Sequence, residues 1–190
     1  QTNGTVTAAA AGITISGNTT DLTAALVTTE TNAVVANGKV TITDTGTVAA
    51  TVLSAIGNST DGTVTATGAL TITGTTEEIT NALVTESKLV VASNESAAVT
   101  FDGDNPTGAQ LALINPKVSG AITLNNNAQV FTGTAAQMKA AFSGGLEGTQ
   151  TGNVTISDTT GTIAATTLTD ITSQTNGTVT AAAAGITISG

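Results

Sequence analysis

The chain lacks several residue types on which common protein chemistry depends. Its 190 residues include no histidine, cysteine, tryptophan, tyrosine or arginine, and its three aromatic side chains are all phenylalanine. Without histidine or cysteine, the usual zinc, haem and iron–sulfur sites and the histidine-assisted nucleophiles are excluded. We therefore expect neither a cofactor nor an enzymatic activity.

Positive charge and long apolar runs are also scarce. Thirteen acidic residues against four basic ones give a net charge of −9, which repels phosphate backbones and argues against a nucleic-acid partner. No run of about 18 apolar residues is present, so we expect no membrane span. No signal peptide is recognisable at Gln1 either.

Threonine dominates what remains. The chain has 44 threonines, and threonine, valine and isoleucine favour β-strands. A hydrophobic content of 39% with few charges is not the composition of a disordered chain. This composition is typical of a structural protein outside the cell.

Internal repeats indicate how the chain is organised. Residues 1–17 recur unchanged at 174–190, so the sequence holds one period of 173 residues and the start of the next. Within the single segment 1–190, GTVT-like motifs divide the chain into sub-repeats, namely 4–61, 62–119 and 120–176, with 177–190 beginning the next copy. Neither end shows a polar capping element, so we expect the chain to associate with itself, end to end or as a continuous tandem array.

Each sub-repeat divides into halves of about 29 residues, which predicts the fold class. Each half has the pattern strand, corner, strand, short helix. We therefore predict a β-solenoid (parallel β-helix-like) of six turns. Alternation within the strands predicts buried columns, made of Ile13, Ile15, Val40, Ile42, Leu70, Ile72, Val99, Phe101, Val154 and Ile156.

Capping motifs predict where the helices begin. Asn18, Thr75 and Thr134 are each followed three residues later by an acid or amide, as in a capping box. By position in the repeat, the other three helices are expected to begin at Thr47, Asn105 and Thr162.

Two segments carry a family resemblance. GTVTATGALTITGTTEEITNALV (62–84) and NVTISDTTGTIAATTLTDITSQTNGTVT (153–180) resemble the tandem repeats of very large cell-surface and secreted proteins of cyanobacteria and other aquatic bacteria. The resemblance implies an extracellular, surface-attached fibrous role such as a filament, stalk, coat or adhesin extender, whose surface ligand is unknown. It supplies no catalytic residues.

The outward-facing threonines are the most suggestive candidate site. On a flat sheet they would form two columns, in each of which successive hydroxyls lie about 4.8 Å apart along the fibre axis. Such columns resemble the ice-binding faces of antifreeze proteins, which makes an ice-adhesin region the alternative function. The same threonines are also explained as good strand formers that stabilise neighbouring strands. The candidate residues are Thr14, Thr41, Thr43, Thr71, Thr73, Thr100, Thr132, Thr155 and Thr187.

Carboxylates offer two further candidates. Asp102, Asp104 and Asn105 resemble the start of a calcium loop but have no distal glutamate, so a role in a turn or helix start is the competing interpretation. Paired with Asp102 and Asp104, Glu77 and Glu78 could in principle hydrolyse a glycoside, although a first-turn role at a helix start explains both glutamates.

Overall fold

A computed structural model describes residues 6–7, 12–28, 33–34, 36–85, 89–91, 97–181 and 184–190. Strands and helices alternate along the chain. The strands are β1 Val6–Thr7, β2 Thr14–Gly17, β3 Ala33–Val34, β4 Lys39–Ile42, β5 Gly46–Ala49, β6 Val64–Ala66, β7 Leu70–Gly74, β8 Leu89–Val91, β9 Ala98–Phe101, β10 Ile122–Thr123, β11 Phe131–Gly133, β12 Val154–Ile156, β13 Thr160–Ala164, β14 Val179–Ala181 and β15 Gly185–Ser189. The helices are α1 Thr19–Leu26, α2 Ala50–Asn58, α3 Thr76–Thr80, α4 Gly108–Ile114, α5 Ala135–Phe142 and α6 Ala165–Thr172. A π-helical turn, Asn81–Thr85, continues α3, and a 3-10 turn, Asn115–Lys117, follows α4.

The described strands form five short parallel sheets. Their orders are β1-β3, β2-β4-β6-β8, β5-β7-β9-β10, β11-β12-β14 and β13-β15. Paired residues are separated by 23 positions (Val99 with Ile122) to 27 positions (Thr71 with Ala98). Because a parallel pair needs a crossover connection, helices lie between most successive strands of a sheet.

The predicted fold class is therefore wrong. The described chain is a small α/β arrangement with five sheets of two to four strands and six α-helices, not a β-solenoid of six turns with strands stacked in one sheet. The spacing of about 29 residues is also too long, since no strand pairing among the described residues exceeds 27 positions.

Asparagine side chains bond to the backbone in the middle of the chain, where β9 and β10 pair only briefly. β10 has only two residues, and asparagine side chains take over backbone hydrogen bonds around it. Asn105 Nδ2 donates to the Asn126 carbonyl at 3.3 Å, Asn105 Oδ1 accepts from the Asn126 amide at 3.2 Å, and Asn125 Nδ2 donates to the Gly103 carbonyl at 2.6 Å. Asparagine side chains thus bond to the backbone directly after β9 and β10, where the pairing of these two strands ends.

Three of the six predicted helix starts are confirmed. Asn18 Oδ1 accepts from the Asp21 amide at 2.9 Å, while Thr75 and Thr134 form complete capping boxes with Glu78 and Gln137. Helices with this motif begin where the sequence places them.

The other three predicted starts are wrong. The residues before α2, α4 and α6 are Ala49, Thr107 and Ala164 rather than Thr47, Asn105 and Thr162. Two of these helices follow directly on strands β5 and β13, so Thr47 and Thr162 lie inside strands. The third begins later because Thr107 forms its own capping box with Gln110.

The predicted core is confirmed except at its N-terminal edge. Eight of the ten predicted positions, Val40, Ile42, Leu70, Ile72, Val99, Phe101, Val154 and Ile156, are buried. Ile15 is partly buried against the same cluster, whereas Ile13 is 40% exposed. Phe131 also joins the core and meets Phe142 edge-on, with ring centroids 5.2 Å apart.

Among the described residues, every helix is too short or too polar to cross a lipid bilayer.

Candidate functional site

The predicted threonine columns do not form one face. Thr14 and Thr41 lie in the β2-β4-β6-β8 sheet, with Thr43 just beyond the end of β4. Thr71, Thr73 and Thr100 lie in the β5-β7-β9-β10 sheet. Thr132 and Thr155 belong to a third sheet and Thr187 to a fourth. The register does not place Thr14 beside Thr41 either, because Thr14 pairs with Lys39.

The register instead brings together shorter threonine rows. Thr73, Thr100 and Thr123 are paired on neighbouring strands and are half-buried. Thr132, Thr155 and Thr180 are paired on β11, β12 and β14, and all three are exposed. Thr123 and Thr180 were not among the predicted residues, although each follows an apolar residue in the same Val-Thr or Ile-Thr pattern.

The exposed row stands alone. Two residues earlier, just before strands β11, β12 and β14, the chain carries Val130, Asn153 and Thr178, and Val130 is 65% exposed. Asn153 Oδ1 accepts a hydrogen bond from the Thr178 amide at 2.9 Å. On the N-terminal side of Thr132, Thr155 and Thr180, the described residues therefore form no second hydroxyl column of the kind that the ice-binding hypothesis needs.

The calcium candidates take part in local structure. The Asp102 amide donates to the Gly74 carbonyl, and the Asp104 carbonyl accepts from the Thr76 hydroxyl at 3.0 Å. The Asn105 side chain donates from Nδ2 to the Asn126 carbonyl and accepts through Oδ1 from the Asn126 amide. Within the described part of the chain, no group of three or more carboxylates is placed to hold a metal ion.

Two buried threonines that the sequence analysis missed tie neighbouring segments together. Thr60 Oγ1 donates to the Gly38 carbonyl at 2.7 Å and accepts from the Gly62 amide at 2.9 Å. Thr175 Oγ1 makes the same two bonds, to the Gly152 carbonyl at 2.8 Å and from the Gly177 amide at 2.9 Å. The signal was available, because both sit in the motif Thr-Asp/Asn-Gly-Thr-Val-Thr.

Two aspartates bond to helix N-termini from distant positions in the chain. Asp44 accepts from the Thr19 amide at 2.6 Å and from the Thr19 hydroxyl at 2.9 Å, at the start of α1. Asp158 accepts from the Ala135 amide at 2.6 Å, at the start of α5. A carboxylate at this end of a helix satisfies an otherwise unpaired amide and interacts favourably with the helix dipole. Both aspartates thus have a structural role.

The groove beside α2 and α3 carries little chemistry. It is an open groove of about 550 Å³ beside α2 and α3, lined by small and polar side chains that include Thr51, Ser54 and Asn81. Glu78, the one carboxylate among the described lining residues, accepts from the Thr75 amide at 2.9 Å. A hydroxyl nucleophile here would have no histidine as its base, since the chain contains none.

Comparison with protein-family models, with curated proteins and with solved structures finds no match to this chain.

Proposed function

We propose that the chain is a non-catalytic structural repeat of an extracellular, surface-attached fibrous protein, such as a filament, stalk, coat or adhesin extender. The observation that carries the proposal is the unchanged recurrence of residues 1–17 at 174–190, one 173-residue period later. A tandem array needs such recurrence, whereas a self-contained enzyme does not.

The contact pattern supports a repeat. Each α-helix contacts the next along the chain, from α1 with α2 to α5 with α6. In the part of the chain that the structure describes, paired strand residues lie at most 27 positions apart. When elements pack mainly against their neighbours in sequence, another copy can be added without rebuilding the earlier ones.

The polar chemistry supports a structural role. Thr60, Thr175, Asp44 and Asp158 all direct their polar atoms to backbone groups 22 to 25 positions away. These side chains hold segments together rather than present reactive groups in a cleft. The extracellular location rests on the composition and on the resemblance to bacterial surface repeats.

Surface labelling tests the proposal. Antibodies raised against the 190-residue chain should label intact, unpermeabilised cells of the organism that makes it, and should detect extended material in electron micrographs. An antibody to a cytoplasmic protein is the matched control and should label only permeabilised cells. Labelling that requires permeabilisation would contradict the proposal.

A further inference from the structure

The identical segments 1–17 and 174–190 pair with different neighbours. β2, in the first segment, pairs with the later strand β4, whereas β15, in the second, pairs with the earlier strand β13. β1 and β14 show the same difference, since β1 pairs with the later β3 and β14 with the earlier β12. In each described sheet of three or four strands, the order follows the chain, so earlier and later partners lie on opposite edges of a strand.

Burial at equivalent positions is complementary. Val6 is 57% exposed while its equivalent Val179 packs against the core, and Ile13 is 40% exposed while Ile186 packs against it.

At the next inward position the relation is reversed. Ile15 packs against the core, whereas its equivalent Ile188 is 48% exposed. At each of these three positions, the side chain packs against the core in one copy of the segment and is exposed in the other copy.

A glycine shows the same relation. A Cβ added at Gly185 would collide with the Thr159 carbonyl oxygen, so this position must be glycine for β15 to approach the preceding segment. The equivalent Gly12 has no described atom within 4 Å of such a Cβ. The close approach of a neighbouring backbone, which requires glycine at this position, is thus present at Gly185 and absent from the described surroundings of Gly12.

We infer that β14 and β15 form the joint between two consecutive copies of this chain, with each strand paired on both edges at once. One edge of β15 keeps its register with β13, in which Thr162 faces Thr187 and Ile163 faces Ile188. The other edge takes the place of β2 against β4 of the next copy, where Ile15 faces Val40 and Ser16 faces Thr41.

The resulting joint has a defined register. Ile188 lies between Ile163 of its own copy and Val40 of the next. The carbonyls of Ile186 and Gly190 accept from Lys39 and Thr43 of the next copy, as those of Ile13 and Gly17 do in this one. The inference rests on the proposed structural role and adds to it the partner, a second copy of the chain, and the residues that meet.

Engineered disulfides in a chain extended by one 173-residue period test the joint, since the natural sequence has no cysteine. One pair is Thr162→Cys with Thr187→Cys. The other is Ser189→Cys with Thr41→Cys of the second copy. When all four cysteines are present, we expect both disulfides in the same molecule and no free thiol by titration and peptide mapping. Molecules that hold one disulfide or the other, each with two free thiols, would overturn the inference.

Controls and a second measurement keep the test decisive. In the 190-residue chain, Thr162→Cys with Thr187→Cys and Ser16→Cys with Thr41→Cys should each cross-link, because both registers are observed. Without any cysteine, the extended chain should unfold in one transition at a higher Tm than the 190-residue chain. An unchanged Tm would contradict the joint even if the four-cysteine variant fails to fold.

These outcomes separate the joint from the proposed function. Mutually exclusive disulfides combined with labelling of intact cells would refute the joint alone. Two coexisting disulfides in a protein found only inside cells would refute the surface role alone.

Discussion

Replacing Gly152 with alanine should destabilise the chain strongly, because the new methyl group has no space. A Cβ built at Gly152 falls inside contact distance of the carbonyl oxygen and carbon of Gln129 and lies 2.8 Å from the Ala128 carbonyl oxygen. The obstructing atoms belong to the backbone, so they cannot rotate away as the end of a flexible side chain can.

The magnitude follows from what must move. Overpacking typically costs about 1–3 kcal/mol. Here the displaced backbone also carries two hydrogen bonds, from the Thr151 amide to the Asn127 carbonyl at 2.8 Å and from the Phe131 amide to the Asn153 carbonyl at 2.9 Å. Each is worth about 1 kcal/mol net. With both hydrogen bonds lost, we therefore expect a loss of about 3–5 kcal/mol, or roughly 6–20 °C in Tm for a chain of this length.

Thermal and urea unfolding followed by circular dichroism measure the effect. Gly12→Ala is the matched control, since no described atom lies within 4 Å of its added Cβ, and it should be neutral or stabilise by up to about 1 kcal/mol through the unfolded state. If Gly152→Ala has the same Tm as the wild type, or if Gly152→Ala and Gly12→Ala lose the same free energy of unfolding, the close backbone approach does not exist in solution.

Four other predictions follow from single contacts. Asp158→Ala should cost about 0.5–2 kcal/mol by removing the carboxylate that accepts from Ala135, and Asp158→Asn should recover part of this loss in the same melting assay. Thr175→Val should cost about 1–3 kcal/mol, because it leaves the Gly177 amide and the Gly152 carbonyl without their hydroxyl partner. Thr175→Ser keeps the hydroxyl and should have a Tm near that of the wild type. Equal Tm values for the Val variant and the wild type would refute the role of the hydroxyl. Leu22→Asp should abolish the cooperative transition or lower its Tm severely, since Leu22 is buried and a charge there has no partner to offset its desolvation; an unchanged melting curve would contradict the placement of α1. Ice-shaping and thermal-hysteresis assays should show no activity, because the exposed threonine row is a single column of three, and hysteresis above that of a matched control protein would contradict this prediction.

Local signals in the sequence predicted local structure well. The Thr75–Glu78 and Thr134–Gln137 pairs marked helix starts because a capping box involves only four consecutive residues. Alternation predicted that Val40, Ile42 and Ile72 would be buried, since a strand exposes successive side chains to opposite faces.

Neighbours across the sheets could not be predicted in the same way. The half-repeat pattern predicted that Thr41 and Thr71 would lie in neighbouring turns of one column, but Thr41 pairs with Thr65 in the structure. The number of residues in each connection decides which strands meet, and the Gly-, Asn- and Thr-rich connections have no periodicity that reveals their path. Thr60 and Thr175 share a local motif that marks them, but the motif does not identify their hydrogen-bond partners, which lie 22 to 25 positions away.

The parallel strand spacing of 23 to 27 positions is the central claim, and a nuclear Overhauser spectrum of the isotope-labelled chain tests it most directly. The Val40 amide donates to the Thr63 carbonyl at 3.0 Å, and Val40 is paired with Val64. We expect cross-peaks from the Val40 amide to α-protons at positions 63 and 64. Cross-peaks from that amide to Leu70, the position that repeat similarity alone would place beside Val40, would contradict the account.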